Sequence, residues 1–164
     1  MWRAYEEVPD ILNLELVPYG KAHYEKKPDG QVTFSCQHGP NECAGNMVHA
    51  CALQLYPAEK HVEFAKCTMS RRRPHTAGSV CAGSLNMTYD SIEACVSGSA
   101  GQKYLMEMGQ KTESLEPKMT FVPWITVNGL HDERRQEEAL EDLKAVVCST
   151  YSGPAKPAKC SSKA

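Results

Sequence analysis

Eight cysteines spread along this 164-residue chain constrain what it can fold into more than any other feature. Cys36, Cys43, Cys51, Cys67, Cys81, Cys95, Cys148 and Cys160 form an even set, which suits a disulfide framework made in an oxidising compartment. Four bridges among eight cysteines allow 105 pairings, so the connectivity is open at this level. Asn86-Met87-Thr88 is an N-glycosylation acceptor triplet and agrees with passage through the secretory route. The N-terminus, MWRAYEEVPD, carries acids and a proline and has no apolar h-region, so it is not a signal peptide. The expectation is that the natural N-terminal part is missing from this chain.

With 18 Lys+Arg against 20 Asp+Glu the formal net charge is -2, which makes neither a nucleic acid nor an anionic membrane an expected partner. The one dense basic run, Arg71-Arg72-Arg73, reads as a solvated loop. No apolar run approaches the ~20 residues that span a bilayer.

Along the chain, Leu12, Leu14 and Leu16 alternate with Asn13 and Glu15, which predicts a half-buried strand over Ile11 to Val17, closed by Pro18-Tyr19-Gly20. Residues 21 to 31 are turn-rich, with a tight turn at Pro28-Asp29-Gly30, and Val32 to Phe34 form a short strand. Ala44, Met47, Val48, Cys51 and Leu55 fall on one helical face, a second helix covers Glu59 to Met69, and Ser70 to Gly78 form a loop. From Tyr89 onward Ile92, Cys95 and Val96 repeat at helical spacing, but Gly98, Gly101 and Gly109 predict short helices there. Phe121 to Val127 reads as a strand leading into an Asn128-Gly129 hairpin turn. A last helix fits Glu133 to Tyr151, with Leu140, Leu143, Val147 and Tyr151 on its inner face. The organisation is an α/β domain over residues 1–152 with a helical insertion at about 36–118, then a Pro/Lys/Ser-rich tail at 153–164 that is mobile unless Cys160 anchors it.

The densest chemistry lies in CQHGPNECAGNMVHAC, residues 36–51. Cys36, His38, Cys43, His49 and Cys51 include enough soft ligands for zinc, but gaps of seven and eight residues are not the short knuckle spacing of structural sites, so no metal is assigned. His38 and His49 read as surface or hydrogen-bonded histidines. A redox dithiol usually takes the form Cys-x-x-Cys at a helix N-terminus, and no such pair occurs. Scaffolding, with each bridge typically worth ~2–4 kcal/mol, is the reading these residues favour.

Cys36-Gln37-His38-Gly39, Glu42-Cys43, Asn46 and Cys51 also reproduce the pattern C-Q-H-G-x2-E-C-x2-N-x4-C, so the chain resembles the gamma-interferon-inducible lysosomal thiol reductase family. Asp10-Ile11-Leu12-Asn13, Leu16 to Gly20, Val122-Pro123-Trp124 and Thr126 to Gly129 extend the likeness over nearly the whole chain. The resemblance implies a thioredoxin-like fold, no cofactor, and reduction of disulfide-containing protein substrates in an acidic lysosomal or secreted setting. It implies too that a first strand, a Cys-x-x-Cys pair and the start of its helix lie before Trp2. The catalytic dithiol is then absent, the eight cysteines are structural, and the chain is inactive by itself. The alternative is a non-catalytic, disulfide-rich secreted binding or regulatory domain. By analogy with that fold, Val122-Pro123 is expected to be a cis peptide lining the substrate groove. Without the first strand, the strands at Ile11 to Val17 and Phe121 to Val127 would be left with unpaired edges, so the chain would fold poorly alone or bring those strands together.

Overall fold

The computed structural model describes residues 1–161, and helices dominate it. Seven α-helices follow in order: α1 Trp2–Glu7, α2 Pro40–Leu55, α3 Ala58–Met69, α4 Gly78–Ser84, α5 Tyr89–Ser97, α6 Ser99–Glu113 and α7 Glu133–Thr150. Strands β1 His23–Lys26 and β2 Val32–Ser35 pair antiparallel, with His23 opposite Ser35 and Lys26 opposite Val32. The chain divides into two compact units, one of Leu16–Val122 and one of Met1–Glu15 with the residues from Pro123 onward. The architecture is a mixed helical one with a small two-stranded sheet.

In the Leu16–Val122 unit, α2 is the central member and packs against α3, α5 and α6. Pro40 opens it, where a missing amide hydrogen costs nothing, and Pro57 stands just beyond its end. One side of α2 carries Val48, Cys51 and Ala52 into an apolar cluster with Phe64, Cys81, Ala82, Met87, Ile92 and Cys95. Its other side puts Ala50 against Tyr19, Leu105 and Met108. Burying side chains such as Phe64, Ile92 and Leu105, all fully enclosed, is worth about 1.5–3 kcal/mol each. Bridges Cys51–Cys95 and Cys67–Cys81 tie α2 to α5 and α3 to α4.

Two of the three glycines expected to interrupt the region after Tyr89 do not. Gly98 separates α5 from α6, but Gly101 and Gly109 lie inside the 15-residue α6. Each permits a close approach: a methyl group on Gly101 would fall 2.8 Å from the Cys95 carbonyl oxygen, and one on Gly109 2.8 Å from Tyr19 Cζ. The helix keeps these glycines because its neighbours need the space.

Two predicted strands are absent. Ile11 to Val17 keeps the expected alternation, with Leu12, Leu14 and Leu16 half-buried and Asn13, Glu15 and Val17 exposed, yet it forms only a 3-10 turn at Pro9–Ile11 followed by irregular extended chain. Phe121 to Val127 is irregular as well, apart from an isolated Val127–Leu130 bridge. Alternation specifies which side chains turn inward, but a strand also needs a neighbouring backbone, and neither segment has a ladder partner among the described residues. β1 was missed for the opposite reason: His23, Glu25 and Lys26 are exposed and carry no apolar pattern, and the turn at Asp29-Gly30 brings β1 onto β2. There the Asp29 carboxylate accepts from Gln31 N at 2.9 Å, and Gly30 supplies a φ of 86°.

In the other unit, α1 packs on α7. Asp132 caps α7 through Arg135 N at 2.9 Å. The predicted inner face fails in part, with Leu140 exposed while Gln136, Ala139, Lys144, Val146 and Cys148 are buried. A kink at Asp142, φ -145° and ψ 87°, divides the helix, and the Asp142 carboxylate caps the second half through Ala145 N at 3.1 Å. A single 3.6-residue period cannot run through such a break. Buried Lys144 reaches Glu7 at 2.6 Å, and Arg3 reaches it at 2.8 Å. The hydrogen bond from Lys144 first, and that from Arg3 second, hold the Glu7 carboxyl down at about 2. Cys160 is anchored by its bridge to Cys148.

Gly109→Ala should lower stability by about 1–3 kcal/mol, because Tyr19 must move away from the new methyl group. Urea unfolding of the variant beside the parent measures this, and an unchanged midpoint would show that α6 and Tyr19 have room to spare.

Candidate functional site

The segment 36–51 spans the β2–α2 turn and most of α2, and its signature residues hold that junction. Gly39 takes φ 88°, a conformation that side chains disfavour, and so lets the chain turn into Pro40 at the first helical position. The Glu42 carboxylate reaches back to accept from His38 N at 2.7 Å and meets His38 Nδ1 at 2.8 Å, closing the turn like a capping box. Cys36 is bonded to Cys43 across the same turn. Asn46 donates to the Tyr19 carbonyl at 3.3 Å and links α2 to the Pro18-Tyr19-Gly20 corner. Cys51 carries the bridge to α5, and Gln37 is exposed. With all eight cysteines in four disulfides, none is a free thiol or thiolate ligand. Among the described residues no three His, Cys, Asp or Glu side chains are placed to hold a metal.

His49 has a partner that sequence spacing did not reveal. Its ring lies edge-on to His61 of α3 with centroids 5.6 Å apart, and Phe64 is 5.3 Å away. Thr68 Oγ stands 3.0 Å from His49 Nε2 and also donates to the Phe64 carbonyl at 3.0 Å. The hydroxyl has one hydrogen, so when that goes to Phe64 the proton between Thr68 and His49 sits on Nε2. His61 is 1% exposed, and its Nε2 is buried without a hydrogen-bond partner. Burial holds His49 down at about 4; burial first, and His49 second, hold His61 at about 4. Both rings are neutral in the fold at neutral pH.

Beside the same corner, Tyr19, Gly20, Lys21, His23, Glu113 and Lys118 line an open cleft of about 400 Å³. Burial first, then Glu113, pushes the Tyr19 hydroxyl up to about 12, so it stays protonated.

The expected cis peptide is elsewhere. The cis bond is Glu116-Pro117, while Val122-Pro123 is trans. The sequence could not distinguish the two, because both are ordinary X-Pro bonds and their isomer follows from tertiary surroundings. Val122 is exposed. Pro123 begins a segment held by Gln136 of α7, whose Nε2 donates to the Pro123 carbonyl at 3.0 Å and whose Oε1 accepts from Ile125 N at 2.8 Å. One carboxamide thus does for residues 123 and 125 what a neighbouring strand would do. Trp124 stacks on His131 with centroids 3.5 Å apart, and His131 Nδ1 lies 3.0 Å from the Ile125 carbonyl. The Asn128-Gly129 turn forms as expected, with φ values of 52° and 78°.

A family model described as gamma interferon inducible lysosomal thiol reductase matches residues 1–85. A protein of that name from Carassius auratus is 42% identical over 153 residues, 92% of this chain and 60% of its own length. The Mus musculus protein of the same name is 35% identical over 160 residues, 94% of this chain and 61% of its own. A gamma-interferon-responsive lysosomal thiol protein of Arabidopsis thaliana is 32% identical over 158 residues, 94% of this chain and 63% of its own. The chain belongs to the gamma interferon inducible lysosomal thiol reductase family. It spans about three fifths of the length of these curated relatives.

The histidine pair gives stability a defined pH dependence. A folded-state value of about 4 against an ordinary 6.5 means that the unfolded chain binds the protons first. The contribution is therefore complete above about 6.5 and is lost as pH falls toward 4, by about 3 kcal/mol per histidine at most. Thermal unfolding between pH 7 and pH 4 should show Tm falling over that window, and His61→Phe should flatten the fall. Parallel curves for parent and variant would remove His61 from the account.

Proposed function

We propose that the protein is a thiol-disulfide oxidoreductase family member whose full activity is the reduction of protein disulfides in an acidic lysosomal or secreted setting. The observation that carries this is the eight-residue signature from Cys36 to Cys51, together with relatives named lysosomal thiol reductases. In such a reaction the thiolate of a Cys-x-x-Cys pair attacks a substrate disulfide, and its partner resolves the mixed disulfide. This chain contains no Cys-x-x-Cys, and every cysteine is already bonded. It therefore presents no attacking thiolate and is inactive by itself.

A thioredoxin-like arrangement remains the proposed context for the Pro123 segment. The extended run Pro123 to Ile125, supported by Gln136, is the proposed wall against which a substrate strand lies. Asn86 is proposed to carry a glycan: it is exposed, at φ 53°, in the turn between α4 and α5. Expression through a eukaryotic secretory route should give a mass that drops on amidase deglycosylation, and Asn86→Gln should show no drop.

The decisive assay is insulin reduction at pH 5 with the oxidised chain at catalytic concentration. The rate should equal that of the added reductant alone. Turnover above it would overturn the reading that no cysteine of this chain attacks a protein disulfide.

A further inference from the structure

The four disulfides are not equivalent, and we propose that Cys36–Cys43 is an exchange site that accepts electrons from a small external dithiol while the other three bridges stay closed. Four observations carry this. The two cysteines lie seven residues apart, against 44, 14 and 12 for the other pairs, so this bridge closes the shortest ring and constrains the unfolded chain least. The turn it spans is held without it, by Gly39 N to the Cys36 carbonyl at 3.1 Å, Glu42 N to the Gly39 carbonyl at 3.1 Å, and the His38–Glu42 clasp. Opening the bridge leaves both sulfurs in place.

Cys36 and Cys43 belong to neither buried apolar cluster, whereas Cys51, Cys81 and Cys95 lie within one and Cys67 packs against it. A thiolate released among those side chains would be disfavoured. Finally, Cys43 stands in the first turns of the 16-residue α2, where the helix dipole favours a thiolate, while Cys148 of the other bridge outside the clusters stands near the C-terminal end of α7, where it does not.

The direction of exchange follows. Cys36 is half-buried and Cys43 is buried, so the donor's thiolate reaches Cys36 Sγ. The Cys36–Cys43 bond breaks, its electron pair leaves on Cys43 Sγ, and a mixed disulfide joins donor to Cys36. The donor's second thiol then attacks its own sulfur in that bond and releases Cys36. One dithiol has become a disulfide, one protein disulfide has become two thiols, and two protons have passed from the donor to Cys36 and Cys43. The sulfur with thiolate character lies under cover, so the reduced pair does not reach into protein disulfides. The site accepts electrons without being a protein reductase, and it does not draw on the reading of the whole protein's activity.

The test uses the intact oxidised chain. Samples are treated with graded dithiothreitol at pH 7, quenched by alkylation and mapped by peptide mass. Cys36 and Cys43 should be labelled at about tenfold less reductant than any other cysteine, with the far-ultraviolet circular dichroism unchanged. With glutathione, which has no second thiol, the glutathionyl group should be found on Cys36 and the alkyl group on Cys43. Another bridge opening first, all four opening together with loss of helical signal, or glutathione on Cys43 would each overturn the proposal. The outcome is independent of the insulin assay.

Discussion

The Leu16–Val122 unit depends on the placement of α2, and α2 depends on the bridge from Cys51 to Cys95. Cys51 has no exposed surface and lies in the cluster that α2 shares with α3, α4 and α5. A covalent link at that point, closing a sequence separation of 44, is worth about 4 kcal/mol in chain entropy. It also fixes which face of α2 turns toward α5, and hence which turns toward Tyr19, Leu105 and Met108. Ala50 and Ala52 on the flanks of Cys51 are fully buried, so neighbouring helices approach closely there. Gly101 and Gly109 give the same closeness from the side of α6.

Polar groups are placed with equal economy around that frame. The Tyr56 hydroxyl donates to the Thr88 carbonyl at 3.0 Å and accepts from Thr88 N at 2.8 Å, so one side chain satisfies a residue entering α5. Lys60 donates to the carbonyls of Leu85 and Asn86 at 3.2 and 3.1 Å at the other end of that turn. In the second unit, Gln136 satisfies a carbonyl and an amide of a segment that has no strand neighbour among the described residues. In each case a side chain in or just beyond a helix meets the backbone demands of irregular chain.

Against this, the His49–His61 contact is a cost the fold carries. It removes two ionisable rings from water, and like Glu7 it makes the folded state bind fewer protons than the unfolded chain. Glu7 keeps its charge well into the acid range through Lys144 and Arg3. The histidines stay neutral down to about 4 for a different reason, because protonating either one means charging a buried ring. Both units therefore lose stability in acid, the histidine unit as pH falls from about 6.5 toward 4 and the Glu7 unit as it falls from about 4.5 toward 2.

The amino-acid sequence by itself determined the disulfide character, the family, α2 and α3, the Asn128-Gly129 turn and the start of α7 at Glu133, because each rests on local chemistry: cysteine count, motif spacing, helical period and turn preference. Tertiary structure alone decided the four pairings, the isomer at Pro117 against Pro123, the continuation of α6 through Gly101 and Gly109, the kink at Asp142 and the meeting of His49 with His61. It also decided that Ile11 to Val17 and Phe121 to Val127 are not strands. Those outcomes depend on which distant backbone or side chain stands opposite, and a period or a propensity carries no information about the neighbour across the gap.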